Sequence, residues 1–178
     1  LASVADNWAE SAVPTDGDDI LFDAGSAAKP MTWNLDVSPR NWTQQSGYSG
    51  TVTFQTGRGG PLNGKTVTTY GTQDPDSGVR YVHCTGSVDL QGGVWTHAAN
   101  ADGTKGFKAT EPSATDGIGV YCIDVRVDGT FAVGADAAVA ADACGFIGAS
   151  SPGIPTQTYG RSHGGSAAAT YISQDVLG

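Results

Sequence analysis

Apolar and polar residues alternate in short runs along most of the chain, the period-two signature of half-buried strands. Pro14 and the step Asp16-Gly17-Asp18-Asp19 predict a turn, followed by a short strand at Ile20-Leu21-Phe22. From Met31 onward, Trp33, Leu35 and Val37 share one face, and Thr32, Asn34 and Asp36 share the other, until Pro39 ends the run. Trp42 and Tyr48 lead into the run Gly50–Phe54, where Val52 and Phe54 point one way. Gly57–Gly64 holds four glycines and Pro61 and reads as a loop before a strand at Thr66–Tyr70. Further short strands are predicted at Val79–Cys84, Ser87–Leu90, Val94–His97, Ile118–Val127 and Thr130–Val133. Ala98–Asp116 is polar and lacks alternation, which marks an inserted loop. The Gly-, Ser-, Ala- and Pro-rich tail, Gly145–Gly178, has Tyr159, Tyr171 and Ile172 as its main large apolar anchors and is expected to wrap without building a sheet.

Strands this short do not suit long hairpins. The segments Gly86–Trp95 and Asp124–Val133 resemble each other, each with an apolar-polar-apolar triplet, a turn and a second short strand. Stacked units of this kind bury an interior that no single unit buries alone, which is the logic of a β-solenoid. The separations are irregular, 15 residues from Val52 to Val67 and 21 from Val67 to Val88. The expected fold is therefore all-β, a degenerate solenoid with a loop insertion, and a β-sandwich is the alternative.

Composition supports the all-β reading. The 178 residues include 15 Val, 6 Ile and 19 Thr against 6 Leu and 2 Glu, so strand formers outnumber strong helix formers. That length suits one domain, residues 1–178. A net charge of −9 repels polyanions, which argues against nucleic acid and anionic membranes as partners. The longest apolar runs, such as Ala137–Ala141, are too short to span a bilayer, so no membrane insertion is expected. Few Lys and Glu, with abundant Thr, Ser, Gly and Asp, favour a secreted or cell-surface bacterial protein. The chain begins at Leu1 without a basic and apolar leader, and so reads as processed or excised.

Asn7-Trp8, Val13-Pro14-Thr-Asp-Gly-Asp-Asp-Ile-Leu-Phe-Asp23, Thr32-Trp-Asn-Leu-Asp36 and Gly47-Tyr-Ser-Gly-Thr-Val-Thr-Phe54 together resemble the start of repetitive, secreted, adhesin-like bacterial surface proteins. Ala141-Asp-Ala-Cys-Gly-Phe146, Gly160-Arg-Ser-His-Gly-Gly165 and Tyr171 are similar to a second segment of such proteins, with Phe146 for the usual Tyr and Ile172 for a Gly. The resemblance covers about a third of the chain. It implies a right-handed parallel β-helix and transfers no chemistry. Such proteins run on where this chain stops at Leu177-Gly178, so a module or cleavage product is expected, with an open end that invites self-association or further modules.

Candidate chemistry is sparse. Asp16, Asp18, Asp19 and Asp23 form the densest acidic cluster, suited either to Ca²⁺ or to capping local backbone N–H groups. Asn100-Ala-Asp102-Gly-Thr104 begins like a calcium loop but lacks the closing Glu, since Glu111 is misplaced. His163 is expected to brace its glycine-rich turn, and neither it nor His83 and His97 has zinc-ligand spacing. Of three cysteines, Cys84 and Cys122 fall on strands and are the disulfide candidate, with two buried thiols as the alternative; Cys144 is the third. A glycan-active domain would use Trp33, Trp42 and Trp95 as exposed stacking platforms, the alternative being core filling. Its carboxylates would come from Asp74, Asp76, Asp89, Asp124 and Asp128. Asn41-Trp42-Thr43 matches a glycosylation sequon. The leading expectation is a non-catalytic structural module of a surface fibre, coat or adhesin, assembling through exposed solenoid ends. The alternative is a carbohydrate-binding or carbohydrate-cleaving β-helix domain.

Overall fold

A computed structural model describes residues 1–62, 65–99 and 121–141. The strands are β1 (Ile20–Phe22), β2 (Met31–Trp33), β3 (Trp42–Gln44), β4 (Thr51–Phe54), β5 (Gly60–Leu62), β6 (Lys65–Val67), β7 (Thr72–Gln73), β8 (Arg80–Cys84), β9 (Val88–Leu90), β10 (Gly93–His97), β11 (Val125–Val127), β12 (Phe131–Val133) and β13 (Ala137–Val139), after one 3-10 turn at Ala5–Asn7. The protein is thus all-β in its described parts, and most of the pairing is parallel.

Parallel pairing between short strands separated in sequence sets up columns of side chains. One sheet runs β1-β3-β9-β12, and a second runs β13-β10-β4-β2. In the first, Ile20, Trp42, Val88 and Phe131 are successive partners, as are Phe22, Gln44, Leu90 and Val133. In the second, Met31, Val52, Trp95 and Val139 align, and Trp33, Phe54 and His97 form the next column. The third sheet, β11-β8-β7, stacks Val125 on Val82 and Val127 on Cys84 and adds β7 antiparallel. Strands β5 and β6 make a separate antiparallel pair.

Period-two alternation then sorts each strand into a buried and a more open face. Ile20, Phe22, Met31, Trp33, Trp42, Val52, Phe54, Val82, Cys84, Val88, Leu90 and Trp95 belong to one core cluster. Its centre is aromatic: the Trp42 ring lies 4.8 Å from Trp33, 5.4 Å from Trp95 and 5.6 Å from Phe22. The corner between β9 and β10 passes close under Tyr48. At Gly93 (φ +76) a Cβ would sit 2.6 Å from the Tyr48 ring, so both conformation and space require glycine. The core also carries a cost. The indole N–H groups of Trp33, Trp42 and Trp95 and both polar atoms of Gln44 are buried without a hydrogen-bond partner.

The two ends of the column set differ. At the first, Ala2 donates its N–H to Thr32 O (2.9 Å), and Trp8 lies against Phe22 and Trp33. Ile20, Phe22, Met31 and Trp33 are buried although β1 and β2 are sheet edges. At the other, Phe131, Val133 and Val139 continue the same columns yet are 46–47% exposed.

Several sequence expectations change. The resembling segments Gly86–Trp95 and Asp124–Val133 do not pair unit on unit: β9 pairs with β12, β11 with β8, and β10 with β13. The run from Met31 ends as a strand at Trp33, although Leu35 stays buried. Only Val125–Val127 of the expected strand Ile118–Val127 is a strand, and its first residues lie outside the described part. The Gly57–Gly64 loop contains β5, and the strand expected at Thr66–Tyr70 is β6, Lys65–Val67. Strands β3, β7 and β13 were not predicted. Most of Ala98–Asp116, the tail Gly145–Gly178, Asp102, Cys144 and His163 lie outside the described residues.

Trp42 and Gln44 sit two positions apart on β3, facing the same interior, and should respond oppositely to substitution. Trp42→Ala is expected to cost about 3–5 kcal/mol by loss of a fully packed ring. The near-isosteric Gln44→Met is expected to raise stability by about 1 kcal/mol by removing an unsatisfied carboxamide. Urea denaturation measures both.

Candidate functional site

The residues singled out from sequence do not converge. Trp33, Trp42 and Trp95 are 0%, 0% and 1% exposed, so none offers a ring face to a sugar. Core filling replaces stacking because alternation turns each of them inward on its strand. Trp42 is also the centre of the sequon, whose Asn41 side chain donates to Asp19 Oδ1 (2.9 Å) and accepts from Ser87 N–H (2.9 Å).

The four aspartates separate onto different partners. Asp16 accepts the Ser38 N–H at 2.7 Å, and Asp18 accepts from Thr15 N–H at 2.8 Å. Asp23 caps the following turn through Gly25 and Ser26 N–H. Asp19 takes the Arg40 guanidinium and the Asn41 amide, which together hold its carboxyl down at about 2. Among the described residues no three His, Cys, Asp or Glu side chains gather in a way that could hold a metal ion.

Cys84 and Cys122 are free thiols, so the structure contains no disulfide between them. Burial pushes the Cys84 thiol up to about 12 and, with some help from Asp124, that of Cys122 to about 11. Both therefore stay protonated and poorly nucleophilic near neutral pH. Cys84 stacks on Val127, whereas Cys122 bridges to Thr56. His97 is buried, with Nδ1 2.8 Å from Ala98 O.

Among the described residues, a gathering of polar side chains lies on the open face of β8 and β11. Tyr81 and His83 point away from the core because Val82 and Cys84 point in, and Arg126 does so between Val125 and Val127. Register places Arg126 beside His83. The guanidinium carbon lies 3.7 Å from the Tyr81 ring centroid, a cation–π contact, and Nη1 lies 3.0 Å from Asp74 Oδ2. Asp124 is 3.5 Å from Arg126 Nε. His83 Nε2 sits 3.0 Å from Asp128 Oδ1. Three of the five glycan-site carboxylates, Asp74, Asp124 and Asp128, thus meet here. Asp89 lies in another sheet and accepts from Gln91, and Asp76 is exposed beside Asp74.

Each charge on this shelf is already answered by a neighbour, which is the state of a surface network that locks two strands together. Ser77 and Asp76 N–H groups and Arg126 hold the Asp74 carboxyl below its usual range, the Ser77 bond contributing most. The sequence reading missed Tyr81 and Arg126. Alternation alone could have placed both outward, but nothing in the sequence announced that β11 lands beside β8.

Among the described residues no helix is long and apolar enough to cross a membrane. No family model, curated protein or solved structure matched the chain in comparison.

Two tests follow from the aspartates. The Asp19 carboxyl is depressed from 3.8 to about 2 by Arg40 and Asn41, so its contribution is complete above pH about 4 and is lost as pH falls through about 2. Asp19→Asn is expected to flatten the acid limb of stability in that window, read by thermal melts at stepped pH. Calcium is expected to leave the melting temperature unchanged, since all four carboxylates already serve protein donors. A rise reversed by chelator would instead assign them to a cation.

Proposed function

We infer that this chain is a non-catalytic structural module, a right-handed parallel β-helix from an extracellular surface fibre, coat or adhesin, that acts by stacking on further coils. The observation that carries the reading is the set of interior columns. Ile20-Trp42-Val88-Phe131, Phe22-Gln44-Leu90-Val133 and Met31-Val52-Trp95-Val139 run in register through successive parallel strands and finish on three exposed apolar side chains. Parallel crossovers between neighbouring strands are right-handed in nearly every known case. A stack that ends on exposed column residues offers both unpaired backbone groups and apolar surface to the next coil.

The chemistry-bearing groups favour the same reading. Asp16, Asp18, Asp19 and Asp23 serve turns and a neighbouring strand connection, and the tryptophans serve the core. Among the described residues, a glycan-active domain would have to work from the Tyr81–His83–Arg126 shelf.

Solution mass against concentration, together with electron microscopy, tests the module. Association through the β12–β13 end is expected, giving particles joined end to end, and Phe131→Asp is expected to abolish it. A monomer of 18.1 kDa at every concentration would contradict assembly through that end.

A further inference from the structure

The end of the stack at β1 and β2 is a second docking surface, and it is covered. Ile20, Phe22, Met31 and Trp33 are buried there, and the segment before β1 lies across these edge strands, with Trp8 against Phe22 and Trp33. That segment partly imitates a strand. Ala2 N–H bonds Thr32 O at 2.9 Å, Ser3 N–H bonds Asn34 Oδ1 at 3.0 Å, and Asn34 Nδ2 returns a bond to Ser3 Oγ at 2.7 Å. Trp8 Nε1 ties the segment to itself through Ala2 O at 2.7 Å.

The cover is lightly held. In residues 1–13 only Ala2 is buried, Ala5, Trp8 and Val13 are half-buried, the 3-10 turn buries no residue, and Leu1 and Val4 are 56% and 42% exposed. Ser11 adopts φ +50, an unfavourable conformation for a residue with a Cβ. Segments with few buried contacts open at low free energy.

Resting on the module reading above, we propose that residues 1–13 are a displaceable cap, and that the β1–β2 face beneath them is the seat for the β12–β13 end of a second copy. The columns match in kind and register: Phe131 would stand over Ile20, Val133 over Phe22 and Val139 over Met31. The charge pattern favours the same occupant. In a chain of net charge −9, the four edge strands that would meet (Ile20–Phe22, Met31–Trp33, Phe131–Val133 and Ala137–Val139) contain no charged residue. Protected edges ordinarily carry charges that repel another strand. With the cap seated, association stops at a pair joined by two open ends. With the cap displaced, the contact becomes head to tail and does not close, so it propagates.

The test compares the full chain, a chain starting at Pro14, and that shorter chain carrying Phe131→Asp, by light scattering and electron microscopy. Filaments of the shorter chain, with a mean mass at least about tenfold above that of the full chain and lost on Phe131→Asp, are the expected result. A shorter chain that melts cooperatively but keeps the full chain's size overturns the cap while leaving end association standing. Aggregates that survive Phe131→Asp also overturn it. If the shorter chain does not fold, Trp8→Ala in the full chain is judged by the same criteria. If the chain's own residues 142–178 occupy the β12–β13 end, full chain and variants alike stay monomeric, and the module reading falls with the cap.

Discussion

Trp42 at the centre of β3 is the contact on which the rest of the core depends. Its ring meets Phe22 before it, Trp33 beside it, and Phe54 and Trp95 after it, with centroids 4.8–5.8 Å apart. Strands of two to five residues make few ladder bonds each, so backbone pairing alone holds them weakly. Large rings reaching between neighbouring strand pairs supply the burial that the strands lack. The same packing sets the register, since a slip by one residue would turn Trp42 outward and Thr43 inward.

That constraint explains the polar inventory. With one face of each strand given to the core, carboxylates and arginines fall on turns and outward positions, and there they clamp neighbours: Asp19 to Arg40, Asp36 to Arg80, Asp74 to Arg126. These are exposed or partly exposed pairs of modest worth individually. Their placement follows the parallel register, which brings residues far apart in sequence onto one surface.

Much of the strand content was legible from alternation, and Gly50–Phe54, Val79–Cys84 and Ser87–Leu90 fall within one residue of their structural bounds. The pairing was not. Sequence spacing sets Val52 against Val67 and Val67 against Val88, whereas Val52 partners Met31 and Trp95, and Val88 partners Trp42 and Phe131. Sequence spacing misleads here because the β5–β6 pair and two strands of the third sheet, β7 and β8, are inserted between β4 and β9, and their length is invisible to local pattern. Strand β13 escaped because Ala137-Ala138-Val139 has no alternation to read. At the candidate site, core filling, the alternative to exposed stacking platforms, holds for Trp33, Trp42 and Trp95, because large rings on alternating positions are the core itself. The Tyr81–His83–Arg126 shelf depends on a long-range pairing that local pattern does not encode.

Inter-strand contacts measured by nuclear magnetic resonance on the isotope-labelled chain address the stacking itself most directly. Parallel columns require Thr43 on β3 to neighbour both Leu21 and Asp89, and Thr53 on β4 to neighbour both Thr32 and Thr96. Antiparallel contacts between strands adjacent in sequence, such as β3 with β4 or β9 with β10, would contradict it and return the chain to the β-sandwich reading.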